Sequence, residues 1–465
     1  MTQSIATARD RHIRYWVLAA LCLITAINYI QRNSLGGIET TVRAAFRLTD
    51  KTLTSEAQSA FFFSYALCQI PSGWLAQRWG PRKALSLYAL GWSTVALLMG
   101  LSPGMYVMIG LQVLMGAFQA GIFPCATLIM ATWIPRTRRA LASGLLTAFM
   151  YAGGALVFNL TGLFLHPLNR LGEITNFDSS FANFLNLPSS PVGWRFLLVL
   201  YAIPGIALAV VFYLWFRDRP EVHPQVTKTE LEVISAGRDE VHSSPKSSFP
   251  VPWLAIALSL AMWMLCTQQF FRAGAIRFVD KWLPTYLQDV SLREVQDPDE
   301  RKAEASHLAS FPLYAGMFGG LIGGGVSDWV LRRTGQRRAG RNGVAVASLL
   351  LTILCTLPIF WFHNAGVQVA LFCVGSFLAS GVNSCAYAMS MDVGGKNLGV
   401  IFSTMNMLGN FGSMTLTLVF GLVSDRFGWN ASLRVFVAAQ LIAIVCWLFL
   451  NPNRNIGEEQ EPLAT

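Results

Sequence analysis

Charge is what this sequence has least of. Of its 465 residues, 13% are Asp, Glu, Lys or Arg, 53% are hydrophobic, and the mean hydropathy is +0.46. Soluble domains are about one quarter charged, so a chain this poor in ions cannot clothe a water-facing surface and reads as an integral membrane protein. Alternation of apolar and polar residues is missing as well, which excludes the strands of a membrane β-barrel. Histidine is absent from the interior of the long apolar runs: His12, His166, His223, His242, His307 and His363 fall in loops or at run ends. The eight cysteines (Cys22, Cys68, Cys125, Cys266, Cys355, Cys373, Cys385 and Cys446) all lie inside such runs. No pair of them has metal-ligand spacing, so they read as packing residues. With no nucleophile–base pair and no metal box, the sequence offers no catalytic residue, no metal site and no cofactor. An enzyme is not expected.

What the chain does have is long apolar runs. Stretches of about 20 residues suffice to cross a bilayer as a helix. Such runs recur twelve times, near 15–36, 54–76, 83–102, 105–132, 139–165, 194–216, 252–287, 308–331, 343–362, 365–389, 396–423 and 432–450. They are apolar all round and rich in small residues, as helices packed in lipid are. The expected class is an all-α membrane protein with twelve transmembrane helices.

The net charge of +10 follows topology and does not point to a nucleic acid. With the N-terminus in the cytoplasm, loops on that side hold 21 Lys and Arg and the opposite loops hold 8. That bias suits a multi-pass inner-membrane protein with both termini cytoplasmic. The first run follows basic residues, as in a signal peptide, but it is too long and lacks a clean cleavage site, so it reads as an uncleaved helix. A stretch rich in charge, Pro and Ser divides the runs six and six. The domain plan is an N-terminal tail (1–14), a six-helix bundle (15–216), a cytoplasmic linker (217–251), a second bundle (252–451) and a C-terminal tail (452–465). The linker should carry a short helix over Lys228–Arg238. Loops 166–192 and 288–307 are longer than connection requires and should face outside.

Against this background a few charges stand out. The stretch INYIQRNSLG (27–36) ends the first run with Arg32, flanked by amides and a phenol and by no acid. A charge at membrane depth is costly unless solvated or paired, so its default reading is functional; the alternative is a side chain snorkelling to the outer interface. Arg272 lies midway along its run, where snorkelling is harder. Its bland alternative is pairing with a backbone carbonyl or with Asp280, but eight residues are about 12 Å of helix, too far for a direct pair. Asp280 is three residues after Arg277 and pairs there locally. Two loop motifs also match each other in position. After the second run comes GWLAQRWGPRK, with Gly73, Arg78, Gly80 and Arg82; after the eighth comes GGVSDWVLRR, with Gly324, Asp328, Arg332 and Arg333. Glycine lets helices approach, while the basic cluster stays at the cytoplasmic surface. These residues read as gating loops.

Matching loops in two six-run halves resemble the major facilitator superfamily, whose halves enclose a site near the bilayer midplane. Further stretches resemble its anion:cation symporter family, which includes sugar-acid, sialic-acid and vesicular glutamate transporters. These are NYIQRNSL, SYALCQIPSGWLAQRWGPRK, Gly116 to Pro124, GWRF (193–196), FRDRPEVHP (216–224), WLPTYL (282–287) and GGKNLGVIFSTMNMLGNFG (394–412), so the resemblance covers about 15–451. It implies that Arg32 faces the cavity and helps bind a substrate carboxylate, with Tyr29 and Tyr65 beside it. It also matches Arg272 to the seventh-helix arginine of the vesicular glutamate branch, and Asn406 and Asn410 to amides of the eleventh helix. The departures are Gln31 in place of an Asp, Gln112 and Gln119 in place of a fourth-helix Arg and Glu, Gln77 in place of the loop acid, and Met150 in place of a polar residue. The family's usual proton-coupling acids are thus replaced.

In physical terms, a guanidinium fork in a low-dielectric cavity binds a carboxylate bidentately. Gln31, Gln112, Gln119, Asn28 and Asn33 can hydrogen-bond substrate hydroxyls. Glutamine in place of acid leaves Arg32 a net positive site, and one arginine per half suits an anion held between the halves. If protons drive uptake, Asp280 or Glu39 carries them; the equal rival is exchange or facilitated transport. Gly116, Gly121, Gly153, Gly154, Gly409 and Gly412 read as helix-packing positions. The expectation is a monomeric secondary active transporter of a small organic anion, first a sugar acid such as a hexuronate or aldonate. The lipid bilayer and a co-transported proton or sodium are its other partners. Another carboxylate or phosphate, moved by exchange or uniport, is the alternative, and a non-transporting sensor of the same fold is a remote one.

Overall fold

A computed structural model describes residues 12–47, 52–174, 193–235, 251–362 and 364–457. Among the described residues, twelve long helices follow one another. They are α1 (Ile13–Gly37), α2 (Thr52–Trp79), α3 (Pro81–Gly100), α4 (Met105–Trp133), α5 (Arg139–Ile174), α6 (Gly193–Trp215), α7 (Leu260–Arg277), α8 (Pro298–Thr334), α9 (Val344–Thr356), α10 (Ala365–Val393), α11 (Leu398–Phe427) and α12 (Trp429–Phe449). Eight stretches are long and apolar enough to cross a membrane by length and composition, among them α1, α4, α6, α10 and α12. Glycine and proline punctuate the helix ends. Gly80 (φ 87°) adopts a conformation closed to most L-residues and hands over to Pro81 at the first position of α3; Gly428 (φ 79°) separates α11 from α12 in the same way.

Three boundaries differ from expectation. The seventh run breaks at Ser259, whose extended backbone lets its hydroxyl accept from the Met262 amide at 3.4 Å and cap α7. Further along that run, Phe278–Trp282 and Leu287–Ser291 are π-helical. The second half of the expected 288–307 loop is α-helical as well, because Pro298 opens α8 and strong helix formers (Glu300, Lys302, Ala303, Glu304, Ala305) follow. The linker helix spans Lys228–Ser235; residues 236–250, most of the 166–192 loop and both chain ends lie outside the described residues.

The chain divides into two compact units. One takes the described residues within Met1–Cys68, Leu75–Arg136 and Phe149–Ser247; the other takes those within Gln69–Trp74, Thr137–Ala148 and Ser248–Thr465. In the first, α3 packs on α4 and α6, and α1 packs on α6. Arg195 of GWRF donates to the carbonyls of Gly100 (3.0 Å) and Ser102 (2.7 Å), a cation at the C-terminal end of α3. The linker returns to this unit: buried Glu230 accepts from the Arg14 backbone amide at 3.0 Å, and His223 sits edge-on to Trp133 and Trp215. Burial and the Arg217 cation push the His223 pKa below the ordinary histidine value, so its ring is neutral at neutral pH.

In the second unit α7 packs on α11 and α12, and α8 and α9 pack on α10. Its core is aromatic: Phe278 meets Tyr286, Phe372, Phe420 and Phe436 at ring separations of 5.4–6.0 Å. Glycines set the closest approaches. A Cβ on Gly412 would lie 2.0 Å from the Phe270 carbonyl oxygen, and one on Gly153, in the first unit, 2.3 Å from that of Ala26. Gly412→Ala is therefore expected to cost about 1–3 kcal/mol or more, read as a fall in Tm of the detergent-purified protein. Gly110→Ala, where nothing lies within 4 Å, should leave Tm unchanged or slightly raised. Equal effects at both positions would refute the close contact.

Candidate functional site

In the first unit the site is assembled by helical spacing. Tyr29 and Arg32, three apart on α1, share a face, as do Phe61 and Tyr65, four apart on α2. The two α2 rings stack at 5.8 Å. The Arg32 guanidinium carbon lies 4.3 Å from the Tyr65 ring centre, 4.7 Å from that of Tyr29 and 4.9 Å from that of Phe61. Its Nη1 donates to the Tyr29 hydroxyl (2.9 Å) and its Nε to Gln119 Oε1 on α4 (3.1 Å). Its Nη2 is buried with no hydrogen-bond partner among the described residues. Three π faces and two neutral acceptors thus hold the cation, and no described carboxylate pairs with it. Each π contact is worth about 0.5–2 kcal/mol, which fixes the fork in place without neutralising it.

The neighbouring amides divide. Gln119 completes the cage and donates onward to the Asn28 carbonyl at 3.4 Å. Asn28 is fully buried with neither amide atom partnered. Gln112 is buried two turns earlier on α4. Gln31 points elsewhere: it donates to the Tyr201 carbonyl (2.7 Å) and accepts from Ser93 (3.3 Å), bracing α1 against α6 and α3. Adjacent residues on a helix diverge by about 100°, so the residue beside Arg32 in sequence leaves its face.

In the second unit Arg272 is also held by amides. Its Nε donates to Gln269 Oε1 (3.2 Å) and its Nη2 to Asn383 Oδ1 (2.8 Å), while Asn383 donates to Thr147 at 3.5 Å. Asn406 donates to Gln69 Oε1 (3.1 Å), and Asn410 to the Asn406 carbonyl (2.9 Å). Gln69 Nε2 remains buried and unpartnered. Asp280 pairs with Arg277 at 3.0 Å one turn away. Glu39 opens a short helix, Glu39–Ala45, and is half-buried there. Phe61, Gln269 and Asn383 went unnoticed in the sequence because aromatics and amides inside apolar runs carry no signal of their own.

The loop motifs resolve into two carboxylate caps. In the first unit Asp218 accepts from the Arg82 backbone amide (2.7 Å) at the N-terminus of α3, and a Cβ on Gly80 would come within 2.6 Å of that carboxylate. In the second, Asp328 accepts from the amides of Ala140 (3.3 Å) and Leu141 (2.8 Å) at the N-terminus of α5, where the helix dipole favours an anion. Asp328 also pairs with Arg341 (2.7 Å); Arg341 reaches Asp392 (3.1 Å), and Arg139 reaches Asp392 (3.3 Å). All four side chains are at most 1% exposed. Gly324 sits under the same helix start, where a Cβ would be 2.3 Å from the Ala140 carbonyl oxygen, and Arg332 donates to the Thr137 carbonyl (3.0 Å). A Cβ on Gly73 would lie 2.3 Å from the Gly399 carbonyl oxygen. Arg78 and Arg333 are exposed. The quartet escaped the sequence reading because Arg139, Arg341 and Asp392 each stand at a run end, where a lone charge reads as a loop residue. An acid closing an apolar run without a sequence neighbour of opposite sign was the available clue.

The sequence profile of the Major Facilitator Superfamily matches residues 21–341 and 333–463. Relatives include a probable sulfoacetate transporter of Cupriavidus necator, 26% identical over 96% of this chain and 96% of that protein. A probable galactarate/D-glucarate transporter of Escherichia coli is 26% identical over 97% and 96%, and an Escherichia coli D-galactonate transporter is 24% identical over 96% and 97%. Among solved structures, a Major Facilitator Superfamily transporter in the outward conformation superposes with a TM-score of 0.67 at 17% identity, covering 95% of this chain and 100% of that one. A proton:xylose symporter superposes with a TM-score of 0.66 at 11% identity, covering 96% and 98%.

Removing one partner of a buried ion pair strands the others. Arg341→Gln is expected to cost about 3–5 kcal/mol, read as a fall in Tm, while Arg333→Gln at the exposed end of α8 should leave Tm unchanged. Equal Tm values for both would contradict the buried quartet.

Proposed function

The chain belongs to the Major Facilitator Superfamily, and from that premise we propose that it is a secondary active transporter carrying a small organic anion, a sugar acid first, by alternating access. The observation that carries the reading is the state of Arg32: a guanidinium fixed by a phenol, an amide and three rings, with a buried nitrogen left to donate. A carboxylate satisfies that donor and supplies the missing negative charge. With Nε engaged by Gln119, the end-on fork of Nη1 and Nη2 is the face offered. Arg272 is the second cationic donor, likewise held by amides. The buried amides of Asn28 and Gln69 add donors and acceptors of the kind that hydroxyl-rich acids use. Relatives named for galactarate, glucarate and galactonate point the same way. The basic-loop bias supports cytoplasmic termini in an inner membrane, and a monomer is the simplest assembly.

Coupling has two readings. Asp280 has a local partner in Arg277 and the family's acids are glutamines here, which favours exchange or uniport over proton symport. A pH gradient imposed on proteoliposomes decides: accumulation of labelled galactarate above equilibrium supports symport, and equilibration alone supports exchange or uniport.

Binding is tested by thermal shift of the purified protein against galactarate, glucarate, galactonate, sulfoacetate, succinate and phosphate. At least one sugar acid should raise Tm, and Arg32→Ala and Arg272→Ala should each abolish the shift. Gln119→Glu places an internal counter-ion on Arg32 and is expected to weaken binding at least about tenfold, a loss of about 1.4 kcal/mol. If both arginine variants keep the wild-type shift, the assignment is wrong.

A further inference from the structure

A groove outside the anion site runs along the outer face of the first unit, between α3 and α6. It has a volume of about 480 Å³ and is lined by Trp79, Lys83, Ser86, Leu87, Leu90, Ala209, Val210 and Tyr213. Ala209 and Ser86 form its floor, at 2% and 8% exposure. Its walls are the exposed side chains of Leu87, Leu90 and Val210. Its mouth is different in kind: Trp79, Tyr213 and Lys83 are all exposed there, at the end where α3 begins and α6 finishes. Lys83 to Leu90 is about 10 Å along the helix axis, the length of several methylenes. The groove is thus apolar along its depth and cationic and aromatic at one end, the order of groups met on crossing from headgroups into acyl chains.

Two further observations point to an occupant. The Ser86 hydroxyl is buried in the groove floor with no hydrogen-bond partner, a state that proteins seldom leave unfilled. The mouth is cationic: Lys83 lines it, and Arg82 stands next to Lys83 at the start of α3, against Tyr213. Asp218 is already engaged by the Arg82 amide at the start of α3, and Arg82 itself donates to the Tyr213 carbonyl and lies over the Tyr213 ring at 4.8 Å. Lys83 is left as the ammonium at the groove's rim.

We propose that this groove binds one anionic phospholipid, with an acyl chain lying against Leu87, Leu90 and Val210 and the phosphate seated on Lys83 within reach of Ser86. The lipid supplies the negative charge that the mouth lacks and fills the apolar channel below it. This site is separate from Arg32 and Arg272 and stands whether or not the transported anion is a sugar acid.

The test is native mass spectrometry of the detergent-purified protein titrated with dioleoyl phosphatidylglycerol and, separately, dioleoyl phosphatidylcholine. One tightly held phosphatidylglycerol is expected, bound more tightly than phosphatidylcholine. Lys83→Gln should weaken phosphatidylglycerol about fivefold, as a lysine near a lipid surface contributes about 1 kcal/mol, and leave phosphatidylcholine unchanged. Val210→Trp, on an exposed wall, should fill the channel and abolish the tight site while the protein stays monodisperse. Equal binding of the two lipids, or a phosphatidylglycerol stoichiometry untouched by Val210→Trp, overturns the proposal.

Discussion

The cost of a charge without water organises this molecule. In lipid a guanidinium must be given partners, and partners of opposite charge would silence it. The chain separates these two outcomes. Arg139 and Arg341 receive carboxylates and become structure, whereas Arg32 receives an amide, a phenol and π faces, with no carboxylate among the described residues. Neutral hydrogen-bond acceptors orient a cation without cancelling it. Gln119, as an amide, is such an acceptor for Arg32, where a carboxylate would have neutralised it.

The same contrast explains which glycines are constrained. Where helices carry polar backbones into contact in a medium with no water to replace lost hydrogen bonds, close van der Waals approach does the holding. Gly412 against Phe270, Gly153 against Ala26 and Gly324 against Ala140 all place a backbone carbonyl where any side chain would intrude. The last of these also delivers Asp328 to the amides of α5, so packing and electrostatics are two readings of one contact.

Much of the architecture was legible in the sequence because a bilayer demands long apolar runs, and twelve of them leave few alternatives. Boundaries were less so: the π-helical turns after Arg277 and the Ser259 break interrupt hydrogen bonding without interrupting hydrophobicity. Of the candidate site, Arg32, Tyr29, Tyr65 and Gln119 do come together, since a charge in an apolar run announces itself and helical spacing gathers its neighbours. Gln31 turns away from Arg32 towards Tyr201 and Ser93, because adjacency on a helix means divergence. The buried quartet stayed hidden because its members are scattered from Arg139 to Asp392, and pairing across that distance is tertiary information.

The quartet has one more property. It combines two aspartates with two arginines and is closed off from solvent. Its sum is zero, and dissolved salt cannot reach it to screen it. A group of this kind shifted as a whole along the membrane normal does no work against the transmembrane potential, where each uncompensated charge would do about 2.3 kcal/mol per 100 mV. The ionic fastening of the fold is therefore electrically silent, and voltage sensitivity has to come from charges outside the quartet.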